Sequence, residues 1–473
     1  MLLKNIKYVS KSKKYLIILL LFTPIFLNYF FNVFLKQEKN FSFTNTDFIN
    51  LFIALIVFGF LVAVGIGIRD VFNLNNISTG VTLYLFSFFM VDNYLVFLTK
   101  SIKFLYIFYF VNLVWMTVAI LSKRINKTSL ILFLITFIFF RELVIDYLVN
   151  NYDLVPKTFT VPDEDKVWLP LTTRIYEVNY FNSLTNNPGH SGYGLLVSHI
   201  NAVLTALFVK SKFYFFYPFI KNIFYFLTML FIFEIKSSKS SKIILSVVLL
   251  LVTLNSHWFR YIFFNSLMME SAVSYFFGVI LYGCINAKNK NQSYITALLM
   301  GTLFFSKQFI AIISLFYLFY IFITKKISLK VLLLGFSGFL SNLIIFPLNN
   351  IDITWSLYFN NSSAVDAERS MKLSNIRNLI NEFLIDRPIS YFLFILFLLF
   401  MFSFKENLFQ FKDPLIIVLT NTLLVFFLYI FLWTSEVVYG SSYRYFMNIF
   451  HVLLPIYLIS IDRFINIEKE KLQ

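Results

Sequence analysis

The chain has 473 residues, of which 59% are hydrophobic, 21% aromatic and only 14% charged. A soluble protein of this length could not bury so much apolar surface, and apolar runs recur from residue 15 to residue 461, so the composition excludes an ordinary soluble enzyme. The net charge of +16 does not imply nucleic acid, because the basic residues lie in short runs between apolar stretches rather than on one face.

The apolar runs are continuous and about twenty residues long, the length of a membrane-crossing helix. A transmembrane barrel would alternate polar and apolar residues instead. The expected fold class is therefore an all-α polytopic membrane protein with about fourteen transmembrane helices. A basic start (Lys4, Lys7, Lys11, Lys13, Lys14) precedes the run at 15–34, which lacks a small-residue cleavage site and reads as an uncleaved anchor. Further spans are predicted near 48–68, 78–98, 103–122 and 128–147. The N-terminus is expected in the cytoplasm, and Lys123, Arg124 and Lys127 return there after four crossings. Residues 1–127 thus form an N-terminal membrane extension, and 128–473 the main unit. Asp92 falls inside the third span, in a VDNY patch; it reads either as a functional intramembrane carboxylate or as a span end. Arg141 and Asp146 are spaced to pair across about one helical turn, as an interfacial salt bridge.

The fifth span delivers a long polar loop, 148–213, to the outer face. Within it, 192–209 is apolar enough to be counted as a span. That count would place Lys236, Lys239 and Lys242 outside, against the charge rule. Ser191, Ser198, Asn201 and Thr205 share roughly one side of this stretch, and Leu196, Ile200, Val203 and Leu207 the other, which predicts an amphipathic helix lying in the membrane interface. The remaining spans then alternate, near 214–235, 243–262, 266–285, 293–305, 307–324, 328–347, 389–405, 413–434 and 443–461. Lys288, Lys290, Lys325, Lys326 and Lys330 fall inside, as do both termini. A second outer loop, 349–387, carries another amphipathic stretch. Cys284 sits in an apolar span and reads as a small packing residue.

The outward side collects the carboxylates Asp163, Glu164 and Asp165, the cations Arg260, Lys307 and Arg444, and the histidines His190, His199 and His257. Carboxylates above cations at the lipid surface suit deprotonation of a hydroxyl while a lipid-linked phosphate is held as leaving group. The plainer reading is that Lys307 and Arg444 snorkel, or pair with Glu436. Asp163, Glu164 and Asp165 could also hold a divalent cation, magnesium or manganese, through oxygen ligands. No Gly-rich phosphate loop and no GxSxG elbow is present.

Several segments in order resemble the GT-C glycosyltransferases that use polyprenyl-phosphate sugars, including the aminoarabinose lipid A transferases and protein O-mannosyltransferases. PDEDKVWLPLTTRIYEVNYF resembles the family's DE motif and following helix, and NNPGHSGYGLLVSHINAVL its interfacial helix. ALLMGTLFFSKQFIAIISLF is similar to its small-residue, glycine and Ser-Lys helical pair, and SSYRYFMNIFHVLLPIYL to its late RY span. RYIFFNSLMMESAVSYFFGVILYG resembles its glutamate-containing span. The resemblance covers roughly 128–461 and implies a catalytic domain over 128–473. It implies Asp163 and Glu164 as catalytic carboxylates, Lys307, Arg444 and Arg260 as contacts to the donor phosphate, and His190, Tyr193, Tyr445 and Glu270 as substrate contacts. The implied partners are a polyprenyl-phosphate sugar donor and an envelope acceptor at the outer face of the plasma membrane. The chain departs from the pattern in its extra N-terminal spans and in carrying a single Pro188, followed by Gly189 and His190, where the family has paired prolines. A lipid-linked polysaccharide polymerase or ligase would also use outer carboxylates and arginines, and a transporter or flippase would instead line mid-membrane positions in related halves.

Overall fold

The computed structural model describes residues 45–99, 102–122, 172–173, 175–176, 195–206, 217–255, 270–306, 310, 314, 318, 328–348 and 450–471. Among these residues the fold is all-helical, with no strand. The helices are α1 (Asn45–Phe72), α2 (Ile77–Thr99), α3 (Phe104–Ser122), α4 (Leu195–Ala206), α5 (Tyr217–Glu234), α6 (Lys239–Asn255), α7 (Glu270–Ile285), α8 (Lys290–Leu303), α9 (Leu329–Leu348) and α10 (Phe450–Lys471). Those from α1 to α3 and from α5 to α9 overlap the stretches predicted as spans. α10 begins inside its predicted span and runs past the expected end, through Asp462 to Lys471. The spans expected at 15–34, 128–147, 389–405 and 413–434, and the loop at 349–387, lie outside the described residues.

Among the described residues, α3 is the helix that alone is long and apolar enough to cross a membrane, with mean hydropathy 2.1. Only 28% of it is buried. Tyr106, Phe110, Leu113, Ile120 and Leu121 form an exposed apolar face at helical spacing. The segments Val57–Phe72 of α1 and Ile77–Asp92 of α2 would pass the same test together, but are bent by 99° at their junction.

That junction is built by local chemistry. Asn73 takes the left-handed conformation, with φ of 55°, which asparagine adopts more readily than most residues. Leu74 N–H then reaches back to the Arg69 carbonyl at 2.8 Å, closing the last turn of α1 in a Schellman arrangement. Four residues on, α2 begins with backbone N–H groups that no helical carbonyl can satisfy. The Glu234 carboxylate, at the end of α5, takes two of them: Ile77 N–H donates to Oε1, and Ser78 N–H donates to Oε2 at 2.9 Å. A negative charge here also complements the helix dipole.

The other polar turns meet at the same end of the bundle. Gln292 Oε1 accepts from Asn75 N–H at 3.1 Å, and Asn286 O accepts from the Asn75 amide at 2.9 Å. Asn289 Nδ2 donates to Asn73 O at 2.6 Å. Lys236 N–H donates to the Tyr282 hydroxyl at 2.8 Å, and Ser238 N–H to Asp462 Oδ2 at 2.7 Å. The turns at 73–76, 236–238 and 286–289 and residue 462 therefore share one end, in agreement with the alternation expected from the lysines.

α2 is the central helix and touches α1, α3, α4, α5, α7, α8 and α9. Its core is aromatic: Tyr84, Phe86, Phe88 and Phe89 are fully buried. Small residues allow the closest approaches. A Cβ on Gly301 of α8 would lie 1.9 Å from the Gly335 carbonyl oxygen of α9, so backbone meets backbone there. α4 falls where an amphipathic helix is expected. It is a helix, but Leu196, Val197, Ser198, His199, Ile200, Asn201, Ala202, Val203 and Leu204 are all buried, so protein covers both its apolar and its polar sides. On its polar side His199 meets the Asp92 carboxylate, whereas the Ser198 hydroxyl is buried without a hydrogen-bond partner.

Glu234→Ala leaves two backbone donors of α2 without their acceptor. Thermal unfolding of the detergent-purified protein is expected to show a loss of about 1–3 kcal/mol, with Glu234→Gln losing less. Unchanged melting of Glu234→Ala contradicts a stabilising cap.

Candidate functional site

The end of the bundle opposite these turns is defined by Asp92. It lies fifteen residues beyond Ile77, or about 22 Å along α2 at the helical rise. Its side chain is buried, as is that of His199 on α4, and His199 Nε2 stands 2.5 Å from Asp92 Oδ2. A carboxylate removed from water needs a partner of opposite charge or a hydrogen-bond donor, and the imidazole supplies it. Aromatic rings close the surroundings. The Phe89 ring meets His199 edge-on at 5.0 Å and Phe104 does so at 6.3 Å. Phe305 lies 6.0 Å from Phe89.

The same end receives the close of α8. That helix finishes in tight turns, with Phe305 N–H on the Thr302 carbonyl and Ser306 N–H on the Leu303 carbonyl. Phe305 O accepts from Leu196 N–H, in the first turn of α4, at 3.2 Å. Three separate stretches thus meet: the late part of α2, the start of α4 and the end of α8 with buried Ser306. The residue after Ser306 in the chain is Lys307. The pair itself is closed to bulk solvent. It ties the helix that follows the 148–194 stretch to the central helix.

A second histidine does comparable work nearer the middle of the bundle. Thr228 Oγ1 on α5 donates to Phe224 O at 2.7 Å, so His451 Nε2–H must be the donor in its 2.7 Å contact with Thr228 Oγ1. Nδ1 is then the acceptor for the Ser274 hydroxyl of α7 at 2.8 Å. His451 N–H also donates to Ser274 Oγ at 3.1 Å. The start of α10 is bound in this way to α5 and α7.

Of the residues singled out in the sequence, Glu270 opens α7. Asp163, Glu164, Asp165, His190, Tyr193, Arg260, His257, Lys307, Arg444 and Tyr445 lie outside the described residues. Among the described residues no group of three or more His, Cys, Asp or Glu is placed to hold a metal ion. The Asp92–His199 contact was not anticipated. The available signal was the burial cost of Asp92, which demands a partner, in a chain with only four histidines. Comparison with protein-family models, with curated proteins and with solved structures finds no match.

If the contact is energetic, Asp92→Asn and His199→Gln will each destabilise the protein by roughly 3–5 kcal/mol, as when one partner of a buried pair is removed. The double variant will cost about as much as the worse single, a strong departure from additivity. Additive losses in urea or thermal unfolding would show that the two side chains act independently.

Proposed function

We propose that the chain is an integral membrane glycosyltransferase of GT-C-like architecture. It moves a sugar from a polyprenyl phosphate to an envelope acceptor at the outer membrane face. The observation that carries this reading is the polarity of the bundle. The Asp92–His199 end holds the residue preceding Lys307 and the start of the helix that follows the acidic loop. The lysine-bearing turns gather at the opposite end. Such a division matches an outer catalytic face and a cytoplasmic face that retains the basic residues. The exposed apolar face of α3 supports the membrane setting, since water disfavours so large a contiguous patch.

In this reading Asp163 or Glu164 accepts the proton of an acceptor hydroxyl. The oxygen attacks the anomeric carbon from the side opposite the phosphate and forms the new glycosidic bond. The bond from the anomeric carbon to the phosphate oxygen breaks, and its electron pair leaves with the lipid phosphate. Lys307, Arg444 and Arg260 stabilise that leaving charge. The anomeric configuration inverts. His190, Tyr193, Tyr445 and Glu270 are assigned to the sugar and acceptor. The Asp92–His199 pair takes no part in the bond changes and holds α4 in register beneath the loop. About fourteen spans, both termini in the cytoplasm and a plasma-membrane location complete the reading.

The test is a deletion strain complemented with wild-type or variant protein, read by the incorporation of labelled sugar into envelope glycans. Asp163→Asn combined with Glu164→Gln is expected to lower transfer by about 100-fold or more, the range of a lost general base, at unchanged protein level in the membrane. Wild-type transfer by this double variant overturns the proposal.

A further inference from the structure

A cavity of about 640 Å³ opens at the lysine-bearing end of the bundle, between the start of α8 and the start of α9. Its walls include Lys288, Lys290, Ser293, Tyr294, Ser328 and Lys330. Among the described residues no carboxylate lines it. The three lysines come from two separate segments, the start of α8 with the turn before it and the first turn of α9, and all three are exposed. Their convergence on one concave space is therefore a product of the fold and not of a run of basic residues in sequence.

The remaining lining fits an anionic head group. The cap of α8 is Asn289, whose side-chain oxygen accepts from Gln292 N–H at 2.8 Å. Lys290 opens that helix and Leu329 opens α9. Two helix N-termini thus add their partial positive charge to that of the lysines. Tyr294 and Val331 supply apolar wall beside the basic residues. The volume is several times that of a bare ion and in the range of small-molecule sites. Basic pockets between helices at the cytoplasmic side of membrane proteins suit lipid phosphates.

We infer that this cavity is a binding site for a phosphate-bearing anion, supplied either by an anionic phospholipid head group or by a soluble phosphate compound. Only the lipid source depends on the membrane reading given above, and no step of sugar transfer is involved. A failed transfer assay and a failed binding assay therefore bear on separate claims.

The experiment uses the full-length protein in detergent micelles. Binding of phosphatidylglycerol, phosphatidylcholine and inorganic phosphate is measured for wild type, for Lys288→Gln/Lys290→Gln/Lys330→Gln, and for a charge-matched control, Lys236→Gln/Lys239→Gln/Lys469→Gln. Wild type is expected to prefer phosphatidylglycerol over phosphatidylcholine by about ten-fold, as expected for attraction of an anionic head group to a few lysines. The cavity variant should lose that preference and the control should keep it. If inorganic phosphate displaces the phosphatidylglycerol, a soluble phosphate is an adequate ligand; resistance to displacement assigns the lipid. Should the triple cavity variant melt early, Lys288→Gln alone is read in the same way. Equal losses in the cavity and control variants, or no wild-type preference for either phosphate probe, overturns the inference.

Discussion

The backbone of α2 begins with donors that its own helix cannot satisfy, and the carboxylate of Glu234 takes two of them from a helix far away in sequence. Much of the described fold depends on that contact. α2 is the helix that touches most of the others, so fixing its start against α5 fixes the level at which every neighbour packs. Its far part is fixed by a second carboxylate, Asp92, against His199. Between the two lies an aromatic interior with little polar chemistry to set register by itself. Tyr84 donating to Asn112 at 2.8 Å and Trp115 to Ser87 at 3.0 Å add lateral ties to α3.

These polar contacts matter because an interior of apolar side chains alone admits many helix alignments of similar energy. In such a setting small residues and sparse hydrogen bonds select one packing. The structure uses both. Gly301 lets α8 and α9 meet backbone to backbone. The Thr228–His451–Ser274 chain joins three helices through a single imidazole. Each tie is short-range, and each joins segments distant in sequence.

That distance explains what the sequence could reveal. The helices α1, α2, α3, α5, α7 and α9 follow from continuous apolar runs and from the lysines that bound them. The shared end of the 73–76, 236–238 and 286–289 turns follows from the same charge pattern. α4 is a case in which local spacing and long-range packing carry different information. Its amphipathic spacing was legible, but a polar helix face looks the same whether it meets water or a buried carboxylate. What the spacing left open is that protein, Asp92 included, meets that face. Asp92 was recognisable as costly, yet its partner lies 107 residues away, and no local pattern encodes a contact of that range. Of the proposed catalytic groups, the described structure reaches only the opening residue of α7, Glu270, and the residue before Lys307.

The functional account depends on sidedness: the acidic loop and the end of α8 must face one side of the membrane and the lysine-bearing turns the other. Single-cysteine labelling tests this most directly, since the native Cys284 is buried and can be replaced by alanine. Asn187→Cys in the acidic loop and Lys239→Cys at the start of α6 are each exposed to a membrane-impermeant maleimide in intact cells. The account predicts that Asn187→Cys is labelled at once and Lys239→Cys only after the membrane is permeabilised. Labelling of both in intact cells, or the reverse order, would contradict it.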